Sequence, residues 1–98
     1  MTIEPPNYVV AHYNEDDTIR VTWESSNSED NCVEYRVFYY GDDGSYGSVD
    51  VPIGENEGVI EGVSQCVDYK IGVMALSVYR HSEIKYATNI TKAGMYRY

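Results

Sequence analysis

Val59-Ile60-Glu61-Gly62-Val63-Ser64-Gln65-Cys66-Val67-Asp68-Tyr69-Lys70-Ile71-Gly72-Val73-Met74-Ala75 is the stretch from which the fold can be read. From Tyr69 onward, Tyr69, Ile71, Val73 and Ala75 alternate strictly with Lys70, Gly72 and Met74. A period of two puts each set on its own side of a β-strand. The all-apolar set therefore faces a core. Val63 stands six residues before Tyr69, across a short segment that holds Ser64, Gln65 and Asp68. The strand is thus predicted to be entered through a tight corner, with Tyr69 fixing it.

The same alternation recurs upstream. Ile19, Val21 and Trp23 alternate with Arg20 and Thr22; Val33, Tyr35, Val37 and Tyr39 alternate with Glu34, Arg36 and Phe38. Pro5-Pro6 cannot donate to a ladder and leads into a first strand, Tyr8 to Tyr13. Asn14-Glu15-Asp16-Asp17 and Gly41-Asp42-Asp43-Gly44 have turn composition. Ser45 to Val51 and Gly58 to Glu61 read as further strands, and Glu83 to Thr91 as the last. No segment has helical periodicity. Seven short strands predict an all-β, two-sheet sandwich with one core. That core is expected to bury Tyr8, Val10, Ile19, Val21, Trp23, Tyr35, Val37, Tyr39, Ile60, Val63, Tyr69, Ile71, Val73 and Ala75. At ~1.5–3 kcal/mol per large side chain, this set can hold the fold without a disulfide.

The chain has 98 residues, enough for one domain, with 16 acidic side chains against 7 Lys and Arg and a net charge of −9. Such a surface repels nucleic-acid backbones and anionic membranes. No apolar run approaches the length of a membrane-spanning helix. There is no signal peptide, so a secretion signal is expected to lie outside this sequence if the natural protein is secreted. Eleven tyrosines suit strands and surfaces that recognise proteins.

In order and spacing these residues resemble a fibronectin type III domain, over about residues 3 to 91. The resemblance rests on Pro5-Pro6, on Ile19-x-Val21-x-Trp23, on Tyr35-Arg36-Val37-Phe38-Tyr39 and on Val63-x5-Tyr69-x-Ile71-x-Val73-x-Ala75; Ser82 fits as well. It departs at the corner, where Val63 stands for the usual leucine, Gln65 for the usual proline, and Cys66 precedes Val67. The resemblance implies a seven-stranded antiparallel immunoglobulin-like sandwich, residues 3–91, with 92–98 as a tail or linker. It also implies structural roles for Trp23, Tyr35, Val63 and Tyr69, the last with its hydroxyl bonded to backbone near Val63.

The same resemblance makes the third and sixth strands antiparallel neighbours. Cys32 and Cys66 then lie at opposite ends of the pair, about eight residues apart at ~3.3 Å each. A disulfide needs Cα atoms within ~7 Å, so no intrachain disulfide is expected. Phe38, Tyr40, Met74 and Leu76 would share an outer sheet face, with Tyr46 nearby, as a candidate interface. Tyr79, Arg80 and His81, beside the loop Ser25 to Asn31, form a second candidate.

No nucleophile-base pair, phosphate loop or metal-ligand spacing occurs, and no enzyme activity, cofactor or metal is expected. A calcium site among Asp16, Asp17, Asp42, Asp43 and Asp68 lacks the regular oxygen spacing. His12 and His81 read as surface residues. Asn89-Ile90-Thr91 is a glycosylation sequon. The function expected is a noncatalytic extracellular recognition or adhesion module of a larger cell-surface, receptor or matrix protein. It would bind an unidentified protein partner, with neighbouring domains in the same chain, no nucleic acid and no membrane insertion. The alternatives are a spacer in a tandem array and an accessory module of a secreted enzyme.

Overall fold

The computed structural model describes residues 3–25 and 32–92. These hold eight strands: β1 (Asn7–Tyr13), β2 (Thr18–Glu24), β3 (Glu34–Gly41), β4 (Tyr46–Val51), β5 (Glu57–Glu61), β6 (Tyr69–Leu76), β7 (Lys85–Tyr86) and β8 (Asn89–Lys92). They form two sheets, in the orders β5-β2-β1-β8 and β4-β3-β6-β7. The inward sets of both sheets interdigitate as a single core that includes Ile19, Val21, Trp23, Tyr35, Val37, Ile60, Ile71, Val73 and Ala75.

The expected inward set of β1 is wrong by one residue. Tyr8 and Val10 are 72% and 41% exposed, whereas Val9, Ala11 and Tyr13 are buried. Cross-strand partners share a face. Ile19 and Val21 point inward and pair with Tyr13 and Ala11, which settles the parity of β1. The switch is made at Tyr8, whose φ is 55°. There the register jumps from Asn7 opposite Glu24 to Val10 opposite Thr22, which puts an extra residue in β1. Tyr39, also expected in the core, is only partly buried against it.

The last strand also differs. A single strand over Glu83 to Thr91 was expected, but the chain divides it between the sheets. β7 pairs with β6 at only two positions, Gly72 with Tyr86 and Val73 with Lys85. Ala87 N–H then donates to Ile71 O (2.8 Å) and Thr88 N–H to Val9 O (3.3 Å), so the crossing segment is bonded to both sheets. Beyond it β8 runs parallel to β1. Ser82 anchors the start of this path: its N–H donates to Ala75 O and its hydroxyl accepts from Ala75 N–H, at 2.8 and 2.9 Å.

Tyr69 lies at the corner between β5 and β6. Gly62, with φ of +72°, makes the turn in a conformation that L side chains rarely adopt. Val63 N–H donates to Asp17 O (3.1 Å), and Ser64 N–H donates to the Tyr69 hydroxyl (3.2 Å). A second tyrosine completes the corner. The Tyr13 hydroxyl donates to Val67 O (3.0 Å) and accepts from Tyr69 N–H (3.1 Å). Tyr13 comes from the opposite sheet, so one hydroxyl bridges the entry to β6 across the core. Burial pushes this hydroxyl up to about 12, and the nearby Asp68 and Asp42 carboxylates push the same way, against the lowering by Tyr69 N–H.

Candidate functional site

The β3-β6 ladder runs from Glu34 opposite Leu76 to Gly41 opposite Tyr69. On the outer face of this sheet the register lays out rows across neighbouring strands. One row is Tyr46, Tyr40 and Lys70; the next is Ser48, Phe38, Gly72 and Tyr86; the third is Asp50, Arg36 and Met74.

The four residues expected to share a patch are therefore staggered. Tyr40, Phe38 and Met74 step diagonally along the face. Leu76 sits opposite Glu34, six residues along β3 from Tyr40, or about 20 Å at ~3.3 Å per residue. Phe38, Met74 and Leu76 are half-buried, while Tyr40 is 60% and Tyr46 74% exposed. The Tyr40 and Tyr46 rings stack with centroids 5.9 Å apart and planes 29° apart.

Sequence reading missed two contributors, Ile84 and Tyr86. Both lie over Gly72, where an added Cβ would run into their side chains. A glycine in the outward set of a strand was the available signal, since it leaves room for something to lie across it. Among the described residues this face also carries Arg36 and Lys70, each already engaged. Arg36 Nε donates to Asp50 Oδ1 at 2.6 Å, and Lys70 Nζ lies 4.3 Å over the Tyr86 ring.

Where β7 leaves the sheet, the start of β6 borders a cleft of about 510 Å³. Ile71, Ala87 and Ile90 give it apolar walls, and Tyr40, Asp42 and Asp68 stand along it. Asp42 N–H donates to Asp68 O (2.9 Å), tying the β3-β4 turn to the corner and setting the two acidic residues side by side. In the same turn Ser45 donates from both N–H and Oγ to Asp43, at 3.0 and 2.6 Å, which holds the Asp43 carboxyl below the usual range. Among the described residues no three His, Cys, Asp or Glu side chains gather in a way that could hold a metal ion.

The second candidate lies at the other end of the sandwich. Ser77 N–H donates to Arg80 O (2.8 Å), which closes a tight turn with Tyr79 93% exposed at its tip. His81 lines a cleft with Ile3, Glu4 and Pro5, so the entering segment is its described neighbour. Of the loop expected beside it, residues 26–31 lie outside the described residues. Ser25 accepts from the Tyr35 hydroxyl at 2.7 Å. Tyr35 in turn packs on Trp23, with centroids 5.3 Å apart. His12 is exposed on the face of the other sheet, opposite Arg20. Asn89 heads the edge strand β8, opposite Val10. Cys32 and Cys66 are exposed, and no disulfide joins them. They precede opposite ends of the β3-β6 ladder, so the register itself separates them.

No protein-family model and no curated protein sequence matches the chain. Solved structures do resemble it. The fn3 domain of the human collagen alpha-1(XX) chain superposes with a TM-score of 0.77 at 22% identity, covering 93% of this chain and 87% of that one. A two-domain fibronectin type III segment of chicken tenascin gives 0.72 at 16% identity, over 85% of this chain. This chain spans only 46% of that segment. The twitchin kinase region of C. elegans gives 0.67 at 16% identity, over 86% of this chain and 15% of that much longer one. The two four-stranded sheets, their strand order and these superpositions agree: the chain has the fold of a fibronectin type III domain.

Proposed function

We propose that this domain is a noncatalytic protein-recognition module of a larger extracellular protein and binds through the outer face of the β4-β3-β6-β7 sheet. The observation that carries this reading is the run of large side chains on that face. Tyr40, Tyr46, Ile84 and Tyr86 are each more than a third exposed and lie around the half-buried Phe38. Exposed apolar surface grouped in this way marks interaction sites. Tyrosine is well suited to them, because it offers a large rigid area with a polar end. The extracellular setting rests on the likeness to domains from a collagen and from tenascin, and is a reading by analogy of fold.

The test is partner capture with the immobilised domain. Phe38→Ala with Met74→Ala should abolish saturable capture while circular dichroism and the unfolding midpoint show a folded domain. Capture unchanged in the folded double variant removes the sheet face as the binding surface.

A spacer role in a tandem array has its own support. The chain enters beside the Ser77 to Ser82 turn, and β8 pairs its last residue, Lys92, with Tyr13 at the opposite end of β1. Entry and exit at opposite ends let such domains be strung in line. A specific, saturable partner of the isolated domain would count against a spacer role.

A further inference from the structure

We infer that the end of the outer face at the β3-β4 turn receives an arginine side chain from a basic segment of the partner. This deepens the recognition role proposed above and rests on it. The site is the cleft bordered by Tyr40, whose ring stacks on that of Tyr46. Its apolar walls, Ile71, Ala87 and Ile90, suit the methylene stem of a long cationic side chain. Two acidic residues, Asp42 and Asp68, stand side by side along it, joined through their backbones.

The exposed ring of Tyr40 borders the cleft and is backed on its other side, across the β3-β4 pair, by the stacked ring of Tyr46. A planar, weakly hydrated guanidinium stacks on such rings and can pair with carboxylates in one geometry; an ammonium does this less well. Among the described residues the one cation lining the cleft is Lys70, whose ammonium is drawn over the Tyr86 ring at 4.3 Å, toward β7. Asp43, kept ionised by Ser45, adds negative potential in the same turn. The whole chain, at −9, steers a basic partner toward it.

The experiment uses the domain as it stands and a short peptide of alternating glycine and arginine as probe. Its lysine and glutamate counterparts and a neutral cello-oligosaccharide serve as comparisons. Binding is followed by backbone amide shifts. The arginine peptide should shift amides over residues 40–43 and 68–71. It should bind more tightly than the lysine peptide, and the glutamate peptide should not bind. Tyr40→Ala with Tyr46→Ala, which leaves the charge unchanged, should weaken binding by about tenfold. Asp42→Asn should weaken it several-fold more than Glu24→Gln, which removes an equal charge from the far end of β2.

Equal losses from Asp42→Asn and Glu24→Gln, with no effect of the tyrosine double variant, would reduce the binding to general attraction by a negative chain and overturn the inference. So would shifts of the same tyrosines by the oligosaccharide and not by the arginine peptide. Partner capture that stays sensitive to Phe38→Ala and Met74→Ala while the arginine peptide fails would sink this inference alone.

Discussion

Tyr13→Phe is expected to destabilise the domain more than Tyr69→Phe, although the corner tyrosine is the one the sequence advertises. Both substitutions remove one hydroxyl and leave the ring. Tyr69 loses one bond, from Ser64 N–H at 3.2 Å, and Ser64 is exposed, so water can replace the lost partner. That is worth about 0.5–1 kcal/mol. Tyr13 loses two bonds, to Val67 O and from Tyr69 N–H, and the latter is buried. The net loss of two bonds is ~1–2 kcal/mol, and an orphaned buried N–H adds ~1 kcal/mol or more. The sum is about 2–3 kcal/mol, or a melting temperature lower by about 10–20 °C for a domain of this size. Urea unfolding of the wild type and both variants checks this, with equal m-values as the sign that only stability has changed. A Tyr13→Phe cost equal to or below that of Tyr69→Phe would refute the claim that the cross-sheet hydroxyl is the main polar tie of the corner.

Three further outcomes follow from the same structure. The Tyr13 hydroxyl is raised to about 12 in the folded state against about 10 in the open chain, so its contribution is fully present below pH 10 and is lost as pH rises toward 12. Alkaline titration of stability should fall across that window, and Tyr13→Phe should remove part of the fall. Gly72→Ala should cost about 1–3 kcal/mol in thermal or urea unfolding, because its Cβ meets Ile84 and Tyr86 and must push β7 aside. Gly62→Ala should cost about 1–2 kcal/mol although the space around it is open, since the penalty lies in holding alanine at φ of +72°; a neutral result would show that the turn relaxes.

The alternation of β2, β3 and β6 was legible because each strand has one apolar and one mixed face. A period of two then allows a single inward set. In β1, Tyr8 and Val10 looked like the inward set, yet they share parity with His12. Val9, Ala11 and Tyr13 form the set without a histidine. Reading the strand through His12 would have found the right face, whereas starting from Tyr8 led across a bulge. The outer-face residues of β3 and β6 were named for the same reason of alternation. Their grouping was not available, because which of them become neighbours depends on the stagger between strands far apart in sequence.

The sequence by itself therefore determined the two-sheet sandwich, most of its inward set and the corner at Tyr69, since local periodicity and turn chemistry act within a few residues. Three features arise only once the two sheets have packed together. The first is the bridge from Tyr13 to the start of β6, where a hydroxyl meets backbone more than fifty residues away. The second is the division of the last strand, because Ala87 and Thr88 find partners in different sheets. The third is the cleft beside Tyr40, which opens where the β6-β7 pairing stops at Gly72 and the chain crosses to the other sheet. Each depends on contacts between distant segments, whose energies arise only when the sheets have closed on each other.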